Sequence, residues 1–270
     1  MITTLGTLDQ RLQQKAVETS LRKFDKKYLI LSGKGGVGKT TVAVNLAWLK
    51  AKEGHKVGLL DIDLHGPDLA HAMYLEDRRL SVDENGRLIP AQAAENLWVM
   101  TVQHLLGRRQ EAVMWRGPRK IRAIIQFISE TAWPELDYLF IDSPPGTGDE
   151  TLTVLRNIPD VKALVVSTGQ SMSISDVAKA LDCLKTCQTE TFGLVENLSS
   201  LICPECGGKT PLYGLGGCQK LASEAGISYL TDLPMDPAAS LLADQKKTPL
   251  VEAAPDSPLT LKLIELAAKL

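Results

Sequence analysis

Gly33-Lys34-Gly35-Gly36-Val37-Gly38-Lys39-Thr40 is a stretch that few architectures accommodate. It fits the spacing G-x-x-x-x-G-K-[ST] and lies between an apolar run, Tyr28-Leu29-Ile30-Leu31, and a segment of helical spacing from Thr40 to about Glu53. Its glycines let the chain curl so that successive backbone N–H groups point at one anion. The following helix adds the positive end of its dipole. The motif carries this meaning only where a strand feeds a helix, so it implies a βαβ unit. In that setting Lys39 reaches the β- and γ-phosphates of ATP, and the Thr40 hydroxyl is a ligand for Mg²⁺. The expected nucleotide-binding set is Gly33, Lys34, Gly35, Gly36, Val37, Gly38, Lys39, Thr40 and Thr41.

The remainder of the chain repeats the theme. Val57–Leu60, Leu97–Met100, Tyr138–Ile141, Ala163–Val166 and Phe192–Val195 are strand-length apolar runs. Helix-length segments separate them, among them the stripe Ile121, Ile124, Ile125 and Ile128 and a helix over about Ser173–Cys187. This alternation predicts an α/β fold, a mostly parallel twisted sheet flanked by helices. Glu84-Asn85-Gly86 between two short apolar pieces predicts a small β-hairpin. Leu8, Leu12, Ala16, Val17, Leu21 and Phe24 recur at helical spacing, giving an N-terminal helix (1–25) outside the main fold. Residues 26–270 then form one domain with a loop at 203–206. The C-terminal stripe Leu259, Leu263, Leu266, Ala267 and Leu270 reads as core or dimer packing.

Net charge is −2, with both signs spread along the 270 residues, which argues against a nucleic-acid or membrane partner bound through bulk charge. The first ten residues carry no signal-peptide pattern, and no run of about 18 apolar residues exists. Five cysteines, an odd number, fit reduced thiols in the cytoplasm.

Acidic residues follow two of the apolar runs: Asp142 after Tyr138–Ile141, and Asp61 and Asp63 after Val57–Leu60. Ligands of parallel sheets sit beyond the strand carboxyl ends, so Thr40, Asp61, Asp63 and Asp142 are the expected Mg²⁺ site. Asp63 is the candidate for orienting the attacking water. Lys34 is a second lysine in the glycine-rich loop. It is either a solvated charge or a donor to the transferring phosphoryl group of a nucleotide across a dimer interface.

Cys203-Pro204-Glu205-Cys206 is a C-x₂-C knuckle. Two thiolates cannot close a four-ligand site, whereas a two-fold dimer presents the pair twice. The resulting Cys₄ set suits Zn²⁺ or an Fe–S cluster. Cys183 and Cys187, at i and i+4 on a helix, read as core packing. Cys218 opens a helix and is read as silent rather than as an accessory ligand. His55, His65, His71 and His104 show no ligand spacing.

These segments occur together with Asp61-Ile62-Asp63-Leu64-His65-Gly66-Pro67, Trp115-Arg116-Gly117-Pro118, Asp142-Ser143-Pro144-Pro145-Gly146-Thr147-Gly148-Asp149 and Val195-Glu196-Asn197. Over about residues 26–255 the chain resembles the Mrp/ApbC family of iron–sulfur cluster carrier ATPases. That family is related to the partition-type P-loop NTPases with a deviant Walker A motif. The resemblance implies a homodimer with a [4Fe–4S] cluster between the knuckles, and ATP hydrolysis coupled to passing the cluster to apo iron–sulfur proteins. It implies that Lys34, Lys39 and Asp63 are catalytic, that Lys34 reaches the partner's nucleotide, that Asn197 recognises adenine, and that Cys203 and Cys206 hold the cluster. Many members carry an additional N-terminal domain or cysteine group, and this chain shows only the helix at 8–24. Two rivals stand beside this expectation. One is a positioning ATPase with a zinc-stabilised dimer, disfavoured by the low charge. The other is a redox partner of the nitrogenase iron-protein kind, whose separated bridging cysteines have no counterpart here.

Overall fold

Tyr28 and Ile30 pack into one apolar cluster while Leu29 and Leu31 pack into another, so a single strand divides its side chains between two cores. The computed structural model describes residues 19–20, 24–64, 66–105, 117–203 and 205–270. In chain order the strands are β1 (Phe24–Leu31), β2 (Val57–Asp61), β3 (Ser81–Val82), β4 (Leu88–Ile89), β5 (Ala91–Ala94), β6 (Leu97–Met100), β7 (Leu136–Asp142), β8 (Lys162–Ser167), β9 (Thr191–Ile202), β10 (Lys209–Pro211) and β11 (Tyr229–Met235). The helices are α1 (Lys39–Lys52), α2 (Leu69–Ala72), α3 (Gly117–Ser129), α4 (Asp149–Asn157), α5 (Ser171–Thr186), α6 (Gly217–Ala225), α7 (Pro237–Lys246), α8 (Leu250–Ala253) and α9 (Pro258–Ala267).

Nine strands form one sheet, in the order β10-β9-β8-β1-β7-β2-β6-β5 with β11 also on β9. All pairs are parallel except β5–β6 and β9–β10. Every residue of β2 is buried, as a central strand covered by helices on both faces must be. One core gathers α1 and α9, including Leu259, Leu263, Leu266, Ala267 and Leu270. The other gathers Ile124, Phe127 and Ile128 of α3 with Val177 and Leu184 of α5. The C-terminal stripe therefore lies in the core. β3 and β4 form the expected hairpin, with Gly86 at φ +76° in its turn. Among the described residues no helix is long and apolar enough to cross a membrane.

Three boundaries differ from the sequence reading. Phe24 opens β1 rather than closing a helix, because it pairs with Leu136 and packs edge-on against Trp133. Most of the stripe at 8–24 lies outside the described residues. Thr19 and Ser20 are helical, and Ser20 is not detached: its hydroxyl donates to the Ile128 carbonyl at 2.7 Å. β9 runs well past Val195 to Ile202, and a short strand the sequence reading did not include, β10, follows the loop at 203–206.

Candidate functional site

The glycine-rich loop links β1 to α1, as its spacing requires. Gly36 and Gly38 both have positive φ, +76° and +84°, which only glycine adopts at no cost. Gly38 also needs its missing side chain, since a Cβ there would lie 2.1 Å from Asn197 Nδ2. The loop wraps a cavity of about 300 Å³ lined also by Asp63, Gly66, Asp142 and Pro145.

Lys39 is only 9% exposed, and its Nζ lies 2.9 Å from Asp142 Oδ1. Thr40 donates its hydroxyl to Asp142 Oδ2 at 2.6 Å. The end of β7 thus answers the start of α1. Asp142 is fully enclosed, and burial holds its carboxyl above the ordinary range, partly opposed by Lys39 and Thr40. Its neighbour across the ladder is Asp61 on β2. Asp61 accepts from the Thr101 hydroxyl at 3.0 Å and from the Asp63 N–H at 2.9 Å. Burial, then the adjacent Asp142, push its carboxyl well above the usual range. Asp61 does not line the cavity. It lies beside Asp142 on the neighbouring strand, whereas Asp63 lines the cavity and accepts from the Gly66 N–H at 3.1 Å. The adjoining Thr40 hydroxyl and Asp142 carboxylate are hard oxygen donors beside a phosphate cradle, so the residues present fit Mg²⁺.

Lys34 behaves differently from Lys39. It is exposed and makes no ion pair among the described residues. It lies at the junction of the phosphate cavity with a neighbouring groove of about 660 Å³ that also includes Met172, Tyr213 and Leu215. Asn197, on β9, lies under the loop and donates its amide to the Val37 carbonyl at 2.8 Å. Ser143, whose effect the sequence did not reveal, is buried and donates to the Ile30 carbonyl at 2.9 Å, tying β7 to β1 just below the loop.

The knuckle forms the turn between β9 and β10. The Cys203 N–H donates to the Gly208 carbonyl and the Gly207 N–H to the Cys203 carbonyl, each at 2.9 Å. Gly207 takes a positive φ of +71° to close that turn. Cys206 is exposed and Cys203 half-buried. The backbone N–H groups of Cys206 and Glu205 lower the pKa of the Cys203 thiol by favouring its thiolate. Among the described residues no three or more His, Cys, Asp or Glu side chains gather around a metal position, so the knuckle offers a pair.

The other sulfurs are elsewhere. Cys218 is buried, with Sγ 3.6 Å from the Thr168 carbonyl, and burial pushes its pKa up to about 12. Cys183 and Cys187 pack partly buried against the second core. His71 pairs with Glu76 at 2.6 Å, His55 leans edge-on against the Tyr138 ring, and His104 is buried. His65, Trp115 and Arg116 lie outside the described residues.

Comparison with known proteins points the same way as this geometry. The NUBPL iron-transfer P-loop NTPase family matches residues 23–270. An "iron-sulfur cluster carrier protein" from Methanocaldococcus jannaschii is 40% identical over 240 residues, 88% of this chain and 82% of that protein. A "cytosolic Fe-S cluster assembly factor NUBP2 homolog" from Culex quinquefasciatus is 43% identical over 251 residues, 92% of this chain and 97% of that one. Among solved structures, a nucleotide-binding protein from Archaeoglobus fulgidus in complex with ADP, with cobalt present, superposes with a TM-score of 0.74. It is 34% identical, covering 93% of this chain and 92% of that chain. The cell-division ATPase MinD from Pyrococcus furiosus, 22% identical with a TM-score of 0.65 over 91% and 98% of the two chains, shares the fold. The chain belongs to the NUBPL iron-transfer P-loop NTPases, a family with iron–sulfur cluster carriers and assembly factors among its relatives.

Proposed function

We propose that this protein hydrolyses ATP and carries a [4Fe–4S] cluster between the knuckles of two copies, releasing it to apo iron–sulfur proteins. The observation behind this reading is an asymmetry of completeness. The phosphate cradle has a buried lysine, a hydroxyl and a carboxylate within one chain, while the partly exposed cysteine pair offers half of a tetrathiolate set. A second copy related by a two-fold axis supplies the other half.

In this scheme Lys39 leaves Asp142 for the β- and γ-phosphates, and the loop N–H groups hold the remaining oxygens. Mg²⁺, held at Thr40 and Asp142, supplies neutralisation of phosphate charge. Asp63 accepts a hydrogen bond from the water that attacks the γ-phosphorus, orienting it in line with the leaving ADP oxygen. Lys34 reaches the nucleotide of the other copy and meets the charge that develops on the transferring group. Asn197 contacts adenine as well as the loop. The work belongs to the cytoplasm, where thiols stay reduced, and the mosquito relative is itself named a cytosolic factor.

Anaerobic reconstitution with iron and sulfide tests this reading. The expected product holds about four iron and four sulfide per dimer, with broad visible absorption. Tight zinc at one per dimer, with no such absorption, overturns it and leaves a zinc-stabilised dimer.

A further inference from the structure

One strand touches both functional ends of the molecule. Asn197 of β9 is bonded to the phosphate loop at Val37, and Cys203 follows six residues later, no more than about 20 Å along an extended chain. Between them β9 is irregular. Its pairing with β8 ends at Glu196, opposite Ser167. β10 pairs beyond the break, from Ser200 to Ile202. On the β11 side, Asn197 faces Leu233 and Leu201 faces Met235, so β9 takes four steps where β11 takes two.

The irregularity centres on Leu198, whose φ is +54°. Of the five non-glycine residues with positive φ among those described, it is the one inside a strand. A leucine is strained in this conformation, and strain at such a position persists only where surrounding contacts hold it. Two residues on, Ser200 is 2% exposed and its hydroxyl has no hydrogen-bond partner among the described residues. Between the two, the Ser199 hydroxyl lies 3.2 Å from both Asp232 Oδ2 and the Leu233 carbonyl. A strained residue beside an unsatisfied buried hydroxyl marks an arrangement from which a shift of the strand can recover both costs.

We propose that Leu198 is a hinge in β9: the state of the phosphate loop, transmitted through the Asn197 amide, sets the position of the β9–β10 turn and hence of Cys203 and Cys206. Nucleotide binding recruits Lys39 and the loop N–H groups and so acts on the Val37 carbonyl to which Asn197 is bonded. The part of β9 before Leu198 is clamped between β8 and β11, so any displacement is taken up at the bulge and appears in the hairpin beyond it. Leu198 and Ser200 are positioning residues here, since neither touches phosphate nor carries the cargo. The inference rests on reading the loop as the ATP site and the knuckle as the cargo site.

The test uses the full chain free of cluster. Alkylation rates of Cys203 and Cys206 by iodoacetamide are read by mass spectrometry, with and without a non-hydrolysable ATP analogue and Mg²⁺. Nucleotide affinity and iron loading are measured on the same preparations. In the unaltered protein the analogue is expected to change the rates at least about fivefold. In Leu198→Gly, where left-handed and extended backbone are both free of strain, the ratio falls to about one while nucleotide affinity stays within about threefold. Ser200→Ala removes the unsatisfied hydroxyl, raises thermal stability and lowers the ratio. A merely structural serine would change stability alone. The hinge is overturned if the unaltered protein shows no nucleotide dependence, or if Leu198→Gly keeps it, which would trace the protection to dimerisation. Failure of iron loading or nucleotide binding in the unaltered protein instead sinks the functional reading, so the two failures are distinguishable.

Discussion

The phosphate cradle and the cysteine knuckle are built on opposite plans. The cradle is sunk at the carboxyl ends of central strands, and its charged groups already answer one another: Lys39 and Thr40 on Asp142, with Asp61 on the neighbouring strand. The knuckle stands at a hairpin tip near the sheet edge, held by two backbone hydrogen bonds, with Cys206 exposed and Cys203 half-buried. A chemistry that must be repeated on the same substrate favours a preformed site. A cargo that must be taken on and given up favours an accessible, incomplete one. The contrast teaches where each kind of substitution should be felt.

The sharpest break comes at the knuckle. In the proposed symmetric dimer, Cys203→Ala or Cys206→Ala would remove two of four ligands and should reduce bound iron to background, while ATP hydrolysis stays within about twofold. Iron analysis and phosphate release on one preparation check both halves, and iron retained in Cys203→Ala would dissolve the two-plus-two arrangement. Lys39→Ala attacks the other region. Hydrolysis should fall at least about 10²–10³-fold, and the nucleotide-free protein should lose about 3 kcal/mol as Asp142 is left buried without its cation. Normal hydrolysis would end the phosphate-site assignment, and an unchanged denaturation midpoint would show that Lys39 and Asp142 are not mutually stabilising.

Lys34→Ala sharpens the comparison from within the loop. This exposed lysine makes no ion pair among the described residues, so stability should hold, while turnover should drop about 10²-fold with nucleotide affinity changed less than about threefold. Equal losses in both would make it a contact in its own subunit. Asp61→Asn should give a smaller effect of opposite sign. A carboxyl raised by burial favours the folded state below the ordinary range near 4, and that contribution disappears as pH rises through the raised value. Removing the charge should therefore stabilise the nucleotide-free protein at pH 7 and flatten its stability above pH 4. Thermal denaturation across that range measures it. Least of all, Cys183→Ala or Cys187→Ala should keep the cluster and cost about 1 kcal/mol of packing.

Much of the central sheet could be read from the chain because parallel strands buried on both faces are plain apolar runs, as in Val57–Leu60 and Tyr138–Ile141. The loop was equally legible, since its glycines answer steric demands that local sequence records. β11 was not, because Tyr229–Met235 mixes Thr231, Asp232 and Pro234 among its apolar residues. The extension of β9 was hidden for a related reason: its far half is Leu198 to Ile202, two serines among apolar residues, and its order comes from β10 and β11. Asp61 looked like a ligand because strand-end carboxylates are local signals. Its place beside Asp142, on the neighbouring strand, depends on which strands are neighbours, a fact of topology. Asn197 and Val37, 160 positions apart, meet only once the sheet is ordered.

The Lys39–Asp142 pair has one more consequence. The two charges neutralise each other in a place shielded from water. On the proposed reading, nucleotide binding is a double exchange, in which lysine trades carboxylate for phosphate and carboxylate must find another cation. A nucleotide complexed with Mg²⁺ offers both new partners, whereas a bare nucleotide draws the lysine away and strands the aspartate. Buried charges left without partners cost about 3–5 kcal/mol, so under the proposed function the Lys39–Asp142 pair should favour the metal complex over the uncomplexed anion.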